Sequence, residues 1–328
     1  MEVRKKSLRF IDLFCGIGGF RQALEGCGHS CVFSSDWDKD ARLTYRENYG
    51  ESPFGDLTEA KVEEIPTHDV LCAGFPCQPF SISGNQVGFA DARGTLLYEI
   101  IRVARHHRPR ALFLENVKNY LGHDSGRTLE TTLGLLDKEG YRVYYNVLNA
   151  SRFGVPQKRE RIYFVCLRKD LELSEFQFPE PTDECIALEE LLLPSDDPRL
   201  EDLIIERSDL RWNSELHPQS ENRPLRIGTV SKGGQGERVY SPKGHAITLS
   251  AYGGGIGAKT GMYFVDGRVR RLHPVECRRL MGFPEDFVLH PRRNVCYRQF
   301  GNSVVVPVVR KIFQSIERKF DIPSLCAA

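Results

Sequence analysis

The chain has 328 residues, of which 41% are hydrophobic and 27% are charged. This composition is typical of a globular protein with a substantial core, and the length favours two domains. No apolar run is long enough to cross a membrane. The charged start, residues 1–6, leads directly into a strand-like segment, which argues against a signal peptide and predicts a cytoplasmic protein.

The ten cysteines are scattered along the chain, so reduced thiols are expected. Cys27 and Cys31 come nearest to a zinc-binding pair, but no second Cys/His pair stands at ligand spacing. We therefore expect no metal site.

The net charge of +1 conceals an uneven distribution. Residues 171–210 contain thirteen acids and two bases, whereas residues 231–328 contain sixteen bases and seven acids. A basic surface that could bind nucleic acid is therefore predicted in the C-terminal part of the chain. From the charge distribution alone, an ordinary solvated surface without a nucleic-acid partner is an equally good interpretation.

The first half of the chain alternates strand and helix signals. Strand-like segments at 8–14, 31–35, 70–73 and 111–114 are separated by helical segments at 20–25, from Lys39 onward, and at 95–107. This order predicts an α/β fold with an open, doubly wound sheet. Ligands of such sheets bind at the carboxyl ends of the strands, so Phe14, Asp36, Phe75 and Glu115 should line one crevice.

A glycine turn follows the first strand, at Gly16, Gly18 and Gly19. A dinucleotide fingerprint would place a third glycine at position 21, where this chain has Arg21, so a nucleoside cofactor without a pyrophosphate fits better than NAD. Asp36 would then bind ribose hydroxyls, and Trp37 could pack on the adenine or on the chain of the ligand. The alternative is that Asp36 is a turn residue and Trp37 a core residue.

Beyond residue 190 the sequence becomes rich in glycine and in short strand-like segments, up to about residue 272. Glycines at this density allow the backbone to approach a ligand closely, although a flexible linker is the alternative. Helical periodicity returns at 274–281 and again at 308–320. A second, smaller β-rich domain is therefore predicted.

Three residue types separated along the chain specify a chemistry. Cys77 offers a thiol nucleophile, Glu115 offers a carboxyl proton partner, and Arg159 and Arg161 form an arginine pair. Carbon 5 of cytosine becomes nucleophilic only after a group has added to carbon 6, and a thiolate can make that addition. The set therefore suits alkylation of a cytosine ring at carbon 5.

Five blocks in fixed order carry a family resemblance: residues 12–19, 74–78, 115–117, 157–161 and 301–304. With these blocks the chain resembles the bacterial C5-cytosine DNA methyltransferases of restriction-modification systems over nearly its whole length. The glycine-rich stretches 233–240 and 248–255 are similar to the recognition region of members that read GCGC. The resemblance implies methylation of the inner cytosine of that site.

The resemblance also implies the architecture. It implies a Rossmann-like sheet that uses S-adenosylmethionine, together with a smaller β-rich target-recognition domain. The catalytic and cofactor-binding domain would span 1–189 and be completed by 302–328, the target-recognition domain would span 190–273, and 274–301 would form a hinge region. The implied partners are double-stranded DNA and a cognate restriction endonuclease, with the protein acting as a monomer.

Individual roles follow from the resemblance. Cys77 would attack carbon 6, Gln235 would fill the space left by the flipped base, and Ser83 would enter from the minor groove on a lid at 81–89. The implied catalytic residues are Cys77, Glu115, Arg159 and Arg161. The implied cofactor residues are Phe14, Gly16, Ile17, Gly18, Asp36, Trp37, Asp56, Leu57, Pro76, Leu96 and Asn302. The implied DNA-binding residues are Ser81, Ser83, Gln235, Arg238, Thr248, Tyr252, Gly253, Gly254 and Gly255.

Three positions depart from the family pattern, namely Cys15, His245 and Gly257. The last two lie in the recognition region, where a changed loop could alter an outer base of the site. Two other functions are compatible with the blocks: a transfer-RNA cytosine-5 methyltransferase, and an inactive DNA-binding regulator of the same fold. The long recognition region disfavours the first, and the presence of Cys77 and Glu115 disfavours the second.

Overall fold

A computed structural model of the chain describes residues 7–75, 96–182, 186–213 and 221–320. Within these ranges the chain forms one six-stranded sheet and one five-stranded sheet. The six-stranded sheet contains β1 (Arg9–Leu13), β2 (Ser30–Ser35), β3 (Val70–Gly74), β4 (Ala111–Val117), β5 (Tyr141–Asn149) and β6 (Glu160–Arg168). The five-stranded sheet contains β7 (Arg211–Trp212), β8 (Leu225–Thr229), β9 (Arg238–Ser241), β10 (Met262–Val265) and β11 (Arg268–Arg270).

The α-helices of the described residues cover the larger sheet on both faces. They are α1 (Gly19–Glu25), α2 (Lys39–Tyr49), α3 (Leu96–His107), α4 (Arg127–Lys138), α5 (Pro274–Leu280), α6 (Arg293–Asn302) and α7 (Val306–Glu317). No described helix is both long enough and apolar enough to span a bilayer.

The larger sheet has the strand order β2-β1-β3-β4-β6-β5. The first four strands are parallel, and the hairpin of β5 and β6 adds to β4 in antiparallel orientation. Alternate side chains of each strand point to opposite faces. Phe10 and Phe113 therefore share one core layer with α1 and α7, whereas Ile11 and Leu112 share the other layer with α3 and α4.

This arrangement confirms the predicted α/β class with a doubly wound sheet and a second, β-rich unit. The antiparallel hairpin was not predicted as strands. Residues 162–167 are all buried, which is the pattern of a central strand. The hairpin matters for function because β6 begins within the matched block 157–161, which contains Arg159 and Arg161 and which we call the arginine block.

The five-stranded sheet has its own small core, built from Ile227, Val230, Val239, Met262 and Val269. Its order is β11-β10-β9-β8-β7, and the pair β9–β10 is parallel. The predicted bounds of the recognition domain and of the hinge remain predictions.

Many arginines of the basic C-terminal part are bound to acids. The described ion pairs there include Arg270 with Glu276, Arg278 with Glu285, Arg292 with Asp40, Arg293 with Asp202, and Arg298 with Asp40. The net positive charge of this part therefore overstates the number of cations available to a nucleic acid.

Candidate active site

The carboxyl ends of β1, β3 and β4 meet at one edge of the larger sheet. β1 and β3 are neighbours although β2 lies between them in sequence, so the chain runs outward in opposite directions from this pair. Such a switch point leaves a crevice beyond the strand ends, which is the usual ligand site of doubly wound sheets. Phe14, Phe75 and Glu115 all lie at this edge, as predicted.

Glu115 lies near the end of β4, and its side chain is buried. Nε of Arg161 is 3.2 Å from Oε1 of Glu115. Burial raises the pKa of Glu115, while Arg161 and then Arg159 act in the opposite direction. The site therefore holds a carboxyl group that takes up a proton more readily than an exposed glutamate does.

Asn116 fixes the end of β3 beside this carboxyl group. Its side-chain amide donates a hydrogen bond of 2.8 Å to the carbonyl of Phe75, whose own N–H donates to the carbonyl of Glu115 over 3.3 Å. Phe75 comes two residues before Cys77 in sequence. Asn116 was given no role in the sequence analysis, although it stands in the matched block 115–117.

Four of the predicted site residues lie outside the described residues, namely Pro76, Cys77, Ser81 and Ser83. The predicted cofactor residue Leu96 is the first residue of α3 and is partly buried. Glu115, the end of β3 and the start of α3 thus lie within the described part of the candidate site.

Two nitrogens of the Arg159 guanidinium donate hydrogen bonds to backbone carbonyl groups. Its Nη1 donates to the carbonyl of Leu249 over 2.8 Å, and its Nη2 donates to those of Gly301 and Ser303 over 2.8 and 2.7 Å. Burial lowers the pKa of Arg159 to about 9, which still leaves it charged at neutral pH. The two arginines therefore differ: Arg161 contacts the carboxyl group, whereas Arg159 binds three carbonyls in two segments of backbone, at Leu249 and at residues 301–303.

Gln157 makes a similar connection two residues earlier. Its Oε1 accepts from the N–H of Leu249 over 3.1 Å, and its Nε2 donates to the carbonyl of Leu280 over 3.1 Å. Leu249 is thus held by both Gln157 and Arg159. The arginine block ties the start of the predicted recognition loop to the larger sheet.

The glycine turn after β1 adopts a backbone that favours glycine. Phe14, Gly16 and Gly18 all have positive φ angles, of 55°, 55° and 83°. A Cβ at Gly18 would lie 2.5 Å from the Tyr49 ring, whereas at Gly16 the corresponding point has no atom of the described residues within 4 Å beyond the adjoining backbone. Gly16 therefore borders open space at the crevice, and the buried Ile17 anchors the turn.

The carboxylate of Asp36 holds this turn in place. One oxygen accepts from the N–H of Gly16 over 2.7 Å and the other from the N–H of Asp38 over 2.8 Å. Burial raises the pKa of Asp36. The next residue, Trp37, is 79% exposed, so it is not the core residue that one interpretation allowed.

The remaining predicted cofactor residues flank the same edge. Asp56 is exposed and accepts hydrogen bonds from Thr58, and Leu57 is buried beneath it. Asn302 is exposed at the end of α6. Its neighbour Gly301 lies so close to Ser250 and Ala251 that a Cβ there would overlap their backbone atoms.

The predicted DNA-binding residues that the structure describes lie on or beside two neighbouring loops. Gln235 is exposed and begins a single 3-10 turn that ends at Glu237, directly before Arg238 in β9. Tyr252 is 76% exposed, and residues 253–255 beside it are exposed as well. Thr248 is partly buried and donates a hydrogen bond of 2.5 Å to the carbonyl of Lys158.

Among the described residues, no three His, Cys, Asp or Glu side chains come together as metal ligands do. Neither Cys27 nor Cys31 takes part in a disulfide within this part of the chain.

Comparison with known proteins assigns the chain to a family. Residues 8–318 match the model of the C-5 cytosine-specific DNA methylase family. The type II methyltransferase M.HhaI of Haemophilus parahaemolyticus is 51% identical over 319 residues, which cover 96% of this chain and 97% of that protein. M.HpaII of Haemophilus parainfluenzae is 38% identical, with coverage of 97% and 92%.

Solved structures agree on the fold. The crystal structure of S. pombe Dnmt2 methyltransferase superposes with a TM-score of 0.74 at 18% identity, covering 97% of this chain and 100% of that one. The family resemblance found in the sequence is therefore confirmed, and the chain belongs to the C-5 cytosine-specific DNA methylase family as a type II DNA methyltransferase that closely resembles M.HhaI.

Proposed function

We propose that the chain flips a cytosine out of duplex DNA and methylates carbon 5 through a covalent adduct with Cys77. The observation that carries this proposal is the ion pair between the buried Glu115 and the partly buried Arg161, at the strand edge from which the chain continues to Pro76 and Cys77. The pair supplies an acidic group and a fixed positive charge in one low-dielectric site.

The reaction begins when the thiolate of Cys77 adds to carbon 6 of the ring. The electron pair of the carbon 5–carbon 6 double bond shifts to form a double bond between carbons 4 and 5, and negative charge develops on nitrogen 3. Carbon 5 thereby becomes a nucleophilic enamine carbon. After carbon 5 has accepted the methyl group, a base removes its proton and the thiolate leaves, which restores the double bond.

Glu115 would stabilise the electron-rich ring by hydrogen bonding to nitrogen 3 and to the amino group. Charge develops on nitrogen 3 during the attack, and a proton held near it lowers the barrier. The raised pKa of Glu115 supports this role, because a carboxyl group that is readily protonated can share a proton with the ring.

The two arginines have different proposed roles. Arg161 would orient Glu115 and stabilise the thiolate of Cys77, since a positive charge lowers the pKa of a thiol. Arg159 would act as a positioning residue, because its guanidinium already binds the carbonyls of Leu249, Gly301 and Ser303.

Membership of the family implies S-adenosylmethionine as the cofactor, and the crevice fits it. Gly16 borders open space at the strand edge, the carboxylate of Asp36 is set at the end of β2, and Trp37 presents an exposed ring. We propose that Asp36 binds the ribose and Trp37 packs on the adenine, and that Phe14, Ile17, Gly18, Asp56, Leu57, Pro76, Leu96 and Asn302 complete the pocket. When bound, the cofactor supplies an electrophilic methyl group on its sulfonium.

A stacked base cannot present carbon 6 to a side chain, so the target must leave the duplex at a cost of a few kcal/mol. We propose that Gln235 occupies the space opposite the unpaired guanine and that Ser83 enters from the minor groove. Arg238 would read a guanine edge with two hydrogen bonds. The proposed target is the inner cytosine of GCGC, in keeping with the resemblance to M.HhaI.

The division into a catalytic domain at 1–189 with 302–328, a recognition domain at 190–273 and a hinge region at 274–301 is retained as part of the proposal. A monomer suffices, because a symmetric site allows one molecule to modify the two strands in separate encounters. A restriction endonuclease with the same recognition site is the expected functional counterpart.

Bisulfite sequencing of plasmid from cells that express the chain tests the proposal. We expect methylation at the inner cytosine of GCGC and protection of the plasmid from an endonuclease that cuts this site. A different consensus would refute the specificity and leave the chemistry standing. Methylation of transfer RNA in place of duplex DNA, or absence of any turnover, would refute the proposed function.

A further inference from the structure

Two loops of the recognition region are packed against each other through their backbones. We call residues 230–237 the Gln235 loop and residues 250–259 the Tyr252 loop. A Cβ at Gly236 would overlap the carbonyl oxygen of Gly254, and one at Gly255 would lie 3.1 Å from the carbonyl oxygen of Gly236. The N–H of Gly257 donates to that same carbonyl over 2.8 Å. Any side chain at position 236 would therefore separate the loops.

Each loop is closed on itself. In the Gln235 loop, the N–H of Val230 donates to the carbonyl of Glu237 over 2.9 Å, and the carboxylate of Glu237 accepts from the N–H of Gly234 over 2.8 Å. In the Tyr252 loop, the N–H of Ser250 donates to the carbonyl of Lys259 over 2.9 Å. A displacement at the contact would therefore move a whole loop as a unit.

The Tyr252 loop is also fixed to the catalytic part of the chain. Leu249, directly before it, is held by Gln157 and Arg159. At the first residues of the loop, Gly301 approaches the backbone of Ser250 and Ala251 without room for a side chain. The side chains of Gln157 and Arg159 thus hold the start of the Tyr252 loop, and backbone contacts connect that loop to Gly236.

We propose that Gly236 is a positioning residue for base flipping, because it seats the Gln235 loop on a loop that is anchored to the catalytic site. The proposal rests on the proposed function, in which Gln235 fills the space left by the target base. That space has a fixed distance from Glu115, so the position of Gln235 must be set relative to the larger sheet.

The test compares methyl transfer on two duplexes that differ only at the target pair. One carries the GCGC site with a paired target cytosine, and the other carries the same site with the target cytosine mispaired. A mispaired base leaves the stack at lower cost, so it depends less on Gln235. The variants are Gly236→Ala and, as a matched control, Gly134→Ala in α4, where a Cβ would meet no neighbour within 4 Å in the described part of the chain.

In single-turnover experiments, we expect Gly236→Ala to slow transfer at the paired target by roughly tenfold or more, as a loss of about 1.4 kcal/mol would do. At the mispaired target the loss should shrink to about threefold or less. The affinity for S-adenosylmethionine should be unchanged, and Gly134→Ala should match the wild type on both duplexes.

A second variant, Gly257→Ala, keeps the test possible if Gly236→Ala does not fold. A Cβ at Gly257 would lie 3.1 Å from the Gly236 carbonyl oxygen and 2.8 Å from Cγ of Met262, so Gly257→Ala presses on the same contact from the other side. Gly257→Ala should also slow methyl transfer more at the paired target than at the mispaired one, and both losses should be smaller than those of Gly236→Ala. Equal losses on both duplexes, or no loss on the paired one, would refute the role of Gly236. If the wild type itself fails to methylate GCGC, the proposed specificity fails, and the duplexes are rebuilt on the consensus that bisulfite sequencing gives.

Discussion

Glu115 and Arg161 face each other diagonally across two antiparallel strands. In the β4–β6 pair, Glu115 is opposite Tyr163 and Val117 is opposite Arg161, and the two charged groups meet at 3.2 Å. Diagonal neighbours in a sheet are within reach of long side chains. The register of the β4–β6 pair therefore places the guanidinium of Arg161 beside the carboxyl group of Glu115.

Replacing Glu115 with Gln should slow methyl transfer by about 10²- to 10³-fold, because the amide cannot share a proton with nitrogen 3. The affinity for S-adenosylmethionine should stay close to that of the wild type, since Glu115 acts on the ring. Single-turnover rates and cofactor titrations measure the two effects separately. A parallel loss of cofactor affinity would contradict this division.

The same replacement should affect stability with a defined pH dependence. The pKa of Glu115 is raised in the folded state, so the folded protein favours the protonated form. Stability from this group is complete below its unfolded pKa of about 4.3 and is lost as the pH rises through the folded value. Glu115→Gln should therefore raise the melting temperature at pH 8, and the gain should vanish near pH 4. A constant difference at all pH values would contradict the assignment.

Arg159→Lys and Arg161→Lys should separate structure from catalysis. A lysine cannot reach the carbonyls of Leu249, Gly301 and Ser303 together, so Arg159→Lys should lower the free energy of unfolding by about 2 to 4 kcal/mol. Arg161→Lys keeps the charge near Glu115 and should mainly lower kcat. Denaturant unfolding and steady-state kinetics on both variants test this. The reverse pattern would exchange the two roles.

Much of the fold could be predicted because its signals are local. Three of the parallel strands of the larger sheet, β1, β3 and β4, are short, mostly apolar and mostly buried, and the glycine turn follows β1 directly. The positions of Phe14, Asp36 and Glu115 follow from the rule that ligands bind at strand ends. The class of sheet and one edge of the site were therefore accessible from sequence alone.

The roles of individual side chains were less accessible, because their partners lie far away in sequence. Arg159 contacts carbonyls 90, 142 and 144 residues away. Every residue type has a backbone carbonyl, so no sequence pattern can predict which carbonyl a side chain will bind. Asn116 was overlooked for the same reason, since its partner is the carbonyl of Phe75.

The chain contains two tryptophans, which allows a direct test of the cofactor site. Trp212 packs against Phe264 in the smaller sheet, whereas Trp37 is exposed at the crevice. In Trp212→Phe, the remaining fluorescence comes from Trp37 and should change when S-adenosylmethionine is added. Trp37→Phe should lose that change and bind the cofactor more weakly. A signal that persists in Trp37→Phe would place the cofactor elsewhere.

The acid before Trp37 gives a second test of that site. Asp36→Ala should weaken cofactor binding by about tenfold or more, because it removes both the proposed ribose contact and the bond to the Gly16 N–H. Calorimetric titration with S-adenosylmethionine measures the loss. Affinity for DNA in the absence of cofactor serves as the control and should be retained.

Cys77→Ser should abolish methylation, since a serine hydroxyl is scarcely ionised at neutral pH and cannot add to carbon 6. Binding to DNA should survive. Duplex DNA with 5-fluorocytosine at the target should trap the wild-type protein, because fluorine cannot leave as a cation after methyl transfer. Peptide mapping should find the linkage at Cys77, and a linkage at any other residue would overturn the covalent mechanism.

Arg238→Ala should relax recognition of one guanine in GCGC. Arg238 is partly buried and its Nε lies 3.5 Å from the carbonyl of Gly233, so its side chain is set at the base of the Gln235 loop. Loss of the bidentate hydrogen bonds from Arg238 to the guanine should cost about 1 to 3 kcal/mol of discrimination at that base. Lys232 on the same loop is exposed, and Lys232→Ala should weaken binding to all sequences alike and reduce the salt dependence. Methylation rates on GCGC duplexes with each outer and inner base replaced in turn distinguish the two variants, and a uniform loss for Arg238→Ala would make it a phosphate contact.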